Sequence, residues 1–143
     1  MDDKFNLSRF LDAQKGTFQR ALSEVQNGCK QSHWMWFVFP QLKGLGRSHT
    51  ARFYGIDSIE EAEAYLEYPD LGENLVRIST ELLKIEGRTA TEIFGSPDDL
   101  KLRSCMTLFA NAHGSNPVFG KVLDKYFSGQ QDKLTLQILE KTK

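Results

Sequence analysis

The chain has 143 residues, 40% of them hydrophobic and 26% charged, with a formal net charge of -1. That length suits one compact domain, so residues 1–143 are expected to fold as a single unit that buries roughly 68–70% of its unfolded surface. The near-neutral balance argues against a nucleic-acid partner, and the longest apolar run, Trp34–Phe39, is far short of the ~20 residues needed to cross a membrane.

The opening MDDKFNLSRF is acidic and has no apolar signal core, so a cytoplasmic setting is expected. Leu11, Phe18, Leu22 and Val25 then fall at offsets 0, 7, 11 and 14, on one helical face. Lys15–Gly16 offers a break into two helices, and Asn27–Gly28 a stop. Trp34–Phe39 is apolar at every position. Its period fits a buried strand or a buried helix, and the helical surroundings favour a helix capped by Ser32 and stopped by Pro40. Two tryptophans and two phenylalanines make it central either way.

Ser48 can cap a helix over SHTARFYGI. Ser58 and Glu61 have capping-box spacing ahead of Ile59, Ala62 and Leu66, and Pro69 ends that helix. Leu71, Leu75, Ile78, Leu82 and Ile85 follow at 0, 4, 7, 11 and 14. Asp70 is the expected cap and Gly87 the left-handed exit. Ser96 is read as the next N-cap, with Pro97 first in the helix and Asp98 and Asp99 at the positive end of its dipole. Leu102, Cys105, Met106 and Phe109 form its stripe, which makes Cys105 a small core residue. Asn116 and Pro117 repeat the design ahead of Val118, Val122, Leu123 and Tyr126. A last helix starts near Asp132. No segment alternates with period two. The expected fold is therefore all-α, a single-domain bundle of about seven to eight helices.

Three features bear on function. His33 stands beside Trp34 and Trp36; it is either a helix-start histidine bonded to a carbonyl, or part of a pocket in which an indole face stacks on a ring. In KGLGRS, Gly44 and Gly46 free the backbone, Ser48 caps the next helix, and Lys43 and Arg47 lie close by; this is an anion site in outline, or an ordinary turn with solvated cations. The spacing is not that of a P-loop, and no cofactor is expected. Asp98, Lys101, Ser104 and Thr107 run along one helical face, as a solvated strip or as one wall of a cleft facing the glycine loop. His49 and His113 have no partner at ligand spacing, and no Cys/His spacing suits a metal.

SHWMWFVFPQLKGLGRS, EEAEAYLEYPDLGENL and EIFGSPDDLKLRSCMTLFA, with FLDAQ and DKLTL, resemble the uncharacterised bacterial family DUF1810, also called Rv1873-like, over nearly the whole chain. The resemblance implies an all-α fold. It places motif positions at Gln14, Ser32, His33, Trp34, Trp36, Pro40, Gln41, Gly44, Gly46, Ser48, Asp99, Lys101, Ser104 and Thr107, and it implies no biochemical activity.

Two functional readings follow. In the first, a small anionic or nucleotide-like ligand lies in a cleft among His33, Trp34, Trp36, Gln41, Arg47, Ser48, Lys101, Ser104 and Thr107. In the second, Trp34, Trp36 and Phe39 anchor a protein-interaction or homo-oligomeric interface with no ligand chemistry.

Overall fold

The structure is a computed structural model and describes residues 3–141. Among these residues there are ten helices and no strand beyond one parallel bridge between Leu42 and Ile56. The helix count exceeds expectation for two main reasons. The first helical pattern breaks into α1 (Ser8–Gln14) and α2 (Phe18–Gln26) at Lys15–Gly16. A short helix over Ala90–Phe94 went unread in the sequence, although Thr89 and Glu92 form a complete capping box there.

The apolar run makes only a single helical turn, α3 (Met35–Val38). Trp34, not Ser32, holds its cap position, because the Ser32 hydroxyl is committed to a carboxylate on α2. Ser48 caps α4 (His49–Tyr54) as expected, accepting from the Ala51 N–H. Ser58 caps α5 (Ile59–Glu67), but the box is half made. The Glu61 carboxylate turns to the Asp57 N–H at 2.9 Å and to Arg9 at 2.7 Å, an ion pair almost wholly out of water. Pro69 does more than end α5: it is the first residue of α6 (Pro69–Lys84), where its missing N–H costs nothing. Asp70 therefore lies in the first turn and is not the cap.

After α7 (Ala90–Phe94) the chain enters α8 (Asp98–Ala110). Ser96 is not its cap; the Asp99 N–H donates to the Gly95 carbonyl instead. Asn116 and Pro117 open α9 (Pro117–Phe127) as expected, and Asp132 caps α10 (Lys133–Lys141) by accepting from the Thr135 N–H.

Helix α8 is the centre of the molecule. It packs against α5, α7, α9 and α10, while α6 packs against α2, α5 and α9. Leu102, Cys105, Met106, Leu108 and Phe109 are fully buried. So are Thr107 and, nearly, Ser104, which lie off the apolar stripe. Each of these hydroxyls donates to the carbonyl four residues back, Leu100 for Ser104 and Arg103 for Thr107, so both are satisfied away from water. Burial pushes the Cys105 thiol well up, as suits a core residue. No helix among the described residues is long and apolar enough to cross a membrane.

Candidate functional site

The segment between α2 and α3 is tied down by one carboxylate. Glu24 accepts from the N–H groups of Gln31 (2.7 Å) and Ser32 (3.0 Å), the Ser32 hydroxyl (2.6 Å) and the Trp34 indole N–H (2.8 Å). Removal from water pushes its pKa up, but the four donors together outweigh that and hold it at about 2. This arrangement fixes Trp34 in the core, with no exposed surface, against Phe39 and Phe94.

Trp36, two residues on, faces the other way and is half-buried. The Lys101 ammonium lies 3.6 Å from the centre of its ring and 3.1 Å from Asp98 Oδ1. Asp98 Oδ2 in turn pairs with Lys30 at 3.0 Å, and Lys30 donates to the Ser32 carbonyl at 2.5 Å. The tryptophan segment and the start of α8 therefore meet. Their contact is filled, with two lysines sharing one aspartate beneath an indole.

The open space lies to one side, in the glycine loop. The Lys43 N–H donates to the Ile56 carbonyl and the Ile56 N–H to the Gln41 carbonyl, at 2.8 and 2.9 Å. These bonds close the loop at its base, around residues 44–55 and α4, whose Phe53 and Gly55 carbonyls accept from Arg9. Gly44 takes a φ of +101° that L side chains rarely adopt. A Cβ on Gly46 would come within 2.6 Å of Ala51 Cβ and 3.7 Å of the Trp36 ring, so the loop seats directly on both. Lys43, Gly44, Gly46, Arg47 and Arg52 line an open cleft of about 610 Å³. Arg52 donates twice to the Arg47 carbonyl, from Nε at 3.1 Å and from an Nη at 2.9 Å. The Arg47 guanidinium makes no hydrogen bond or ion pair with any described residue, and Lys43 makes a loose, exposed pair with Asp57 at 3.7 Å.

The expected site residues divide accordingly. Arg47 lines the cleft. Trp36 and Gln41 lie beside Gly46 but do not line the cleft, and Lys101 covers the Trp36 ring. Ser48 is at the loop's edge, occupied as a helix cap. Four residues do not fit the expected wall. Trp34 is buried and offers no stacking face. Ser104 and Thr107 are sealed into α8, and Thr107 also accepts from the Asp132 N–H at 2.8 Å. His33 is exposed, joins no hydrogen bond or ion pair with a described residue, and is not among the cleft-lining residues. The expected interface anchor is not presented either, since Trp34 and Phe39 are both in the core.

Arg52 was missed from the sequence, and Lys43, read there beside Arg47 at the glycine loop, was left out of the ligand set. A signal was available: from Lys30 to Ile56 the chain carries four lysines and arginines and no acidic residue, in a protein of net charge -1. Among the described residues no group of three or more His, Cys, Asp or Glu is placed to hold a metal.

No curated protein matches the chain. The crystal structure of the conserved hypothetical protein Rv1873 from Mycobacterium tuberculosis is similar to it, with 48% sequence identity and a TM-score of 0.94, over 96% of this chain and 99% of that one. The family model described as "Protein of unknown function (DUF1810)" matches residues 4–139. With a family match of that extent and a full-length relative of the same fold, the chain belongs to the DUF1810 family.

Proposed function

We propose that this protein binds a small anionic ligand, phosphorylated compounds and nucleotides included, in the cleft of the glycine loop. The observation that carries this reading is the convergence of Lys43, Arg47 and Arg52 on one cleft whose remaining lining is glycine. An arginine fork donates in a plane that matches carboxylate or phosphate oxygens, and glycine lets an anion approach the backbone. Among the described residues the Arg47 guanidinium has no acceptor to compete with a ligand. The lining carries no carboxylate, histidine or thiol, so the reading is one of binding, with no reaction assigned.

The test is thermal stability against a panel of phosphates, sugar phosphates, nucleotides and di- and tricarboxylates. A ligand at 100 times its dissociation constant adds about 2.7 kcal/mol. The effective ligand should lose its effect on Arg47→Ala, whose side chain supports nothing in the fold. A panel that leaves stability unchanged at millimolar concentration counts against the reading.

A further inference from the structure

We infer that the anion taken by the glycine-loop cleft is a phosphate monoester recognised by its phosphoryl group and a polar, non-aromatic body, with no ring stacked by the protein. This rests on the anion reading above and narrows it.

The charge balance favours phosphate. Three cationic side chains line the cleft, and one of them, Lys43, is partly offset by Asp57 at 3.7 Å. A net charge near two remains. A phosphate monoester carries about -1.5 to -2 at neutral pH and offers three strong acceptor oxygens, whereas a monocarboxylate offers half that charge and two oxygens. The Arg52 guanidinium is fixed by its two bonds to the Arg47 carbonyl, and both arginines line the cleft.

The aromatic inventory argues against base stacking. The family of ligands that suits a tryptophan-rich segment is ring-bearing, yet neither indole is free to serve. Trp34 has no exposed surface. Trp36 has the Lys101 ammonium over its ring at 3.6 Å, and it is not one of the residues that line the cleft. No aromatic or other large apolar side chain lines the cleft. A body attached to the phosphate would therefore meet glycine backbone and the stems and charged ends of Lys43 and the arginines. A hydroxylated carbon chain or a sugar suits such walls. A volume of about 610 Å³ leaves room for it beyond the phosphoryl group.

The experiment is titration calorimetry of the full chain with ribose 5-phosphate, adenosine monophosphate, inorganic phosphate and ribose, on the wild type and on Arg47→Ala. The expected result is binding of both esters with dissociation constants within about threefold of each other, none of ribose, and at least about tenfold weakening of both esters by Arg47→Ala. Adenosine monophosphate binding more than about tenfold tighter than ribose 5-phosphate means the base is read, and overturns this inference while the anion reading stands. Inorganic phosphate binding about tenfold tighter than either ester overturns it too, because the cleft would then hold no body. Unchanged ester affinity in Arg47→Ala, with the unfolding midpoint unchanged, removes the site from the glycine loop. No heat with any phosphate, while a carboxylate from the panel does bind, overturns the phosphate assignment alone. No heat with any anion overturns the parent reading as well.

Discussion

The ammonium of Lys101 sits over Trp36 at 3.6 Å from the ring centre and, through Asp98, shares a carboxylate with Lys30. One contact thus joins the start of the central helix α8 to the segment that supports the glycine loop. Both partners are largely withdrawn from water, where a cation over an indole is worth about 0.5–2 kcal/mol. Lys101→Met keeps the stem and removes the charge. A double-mutant cycle with Trp36→Leu, read by urea unfolding, should give a coupling of that order. Additive losses would mean that the ring and the ammonium are merely neighbours.

Glu24 makes stability depend on pH. Its pKa is about 2 in the folded protein, against an ordinary 4.5. The unfolded chain therefore takes up the proton first on acidification. The carboxylate's contribution is complete above the ordinary value, and it is lost as pH falls through the window from 4.5 to about 2. The size of that contribution is on the order of 3 kcal/mol. Glu24→Gln should be destabilised by about 2–4 kcal/mol at pH 7, because an amide turns a donor toward groups that are themselves donors. It should also show a flatter loss between pH 5 and pH 3. Parallel losses in wild type and variant over that range would show that other groups carry the acid sensitivity.

What the sequence could reveal tracks how local each determinant is. The caps Ser48 and Asn116 and the 0, 4, 7, 11 stripe of α6 depend on neighbours a turn away, and they were legible. The burial of Trp34 and the half-exposure of Trp36 were not, although the two are only two residues apart. That choice is made by Glu24, ten residues earlier on another helix, which claims one indole N–H. Ser104 and Thr107 looked like a polar wall because periodicity describes a helix with one covered face. α8 is covered on nearly all sides, and its hydroxyls are satisfied by its own carbonyls. Arg52 was invisible for a similar reason: its bonds to the Arg47 carbonyl exist only once the loop has closed between Lys43 and Ile56.

Arg103 is the exception to the pairing of buried charge seen at Arg9, Lys30 and Lys101. Its buried Nε has no acceptor among the described residues, and its guanidinium lies 5.8 Å from the centre of the Phe127 ring. A half-buried, unpaired guanidinium contributes little and carries a desolvation cost. Arg103→Met, with a similar stem and no charge, should leave the unfolding midpoint unchanged or raise it by up to about 1 kcal/mol equivalent. A loss above about 2 kcal/mol would show that the guanidinium has a partner worth more than the ring.

Two helical glycines should respond to alanine with opposite sign. Gly72 lies in the first turn of α6, directly after the corner at Tyr68, where a Cβ would come within 2.1 Å of the Leu66 carbonyl oxygen. That oxygen is backbone at the end of α5 and cannot swing aside, so Gly72→Ala must spread α5 from α6. Overpacking of this kind costs typically 1–3 kcal/mol, and more when backbone is the obstacle. Gly120 lies within α9 with nothing within 4 Å of its added Cβ and with ordinary helical backbone. There the substitution only removes freedom from the unfolded chain, so Gly120→Ala should stabilise by about 0.5–1 kcal/mol. Urea midpoints of the two variants, measured side by side, decide the matter. Equal effects would mean that the corner between α5 and α6 yields more easily than its geometry implies, since helix propensity alone would favour alanine at both sites.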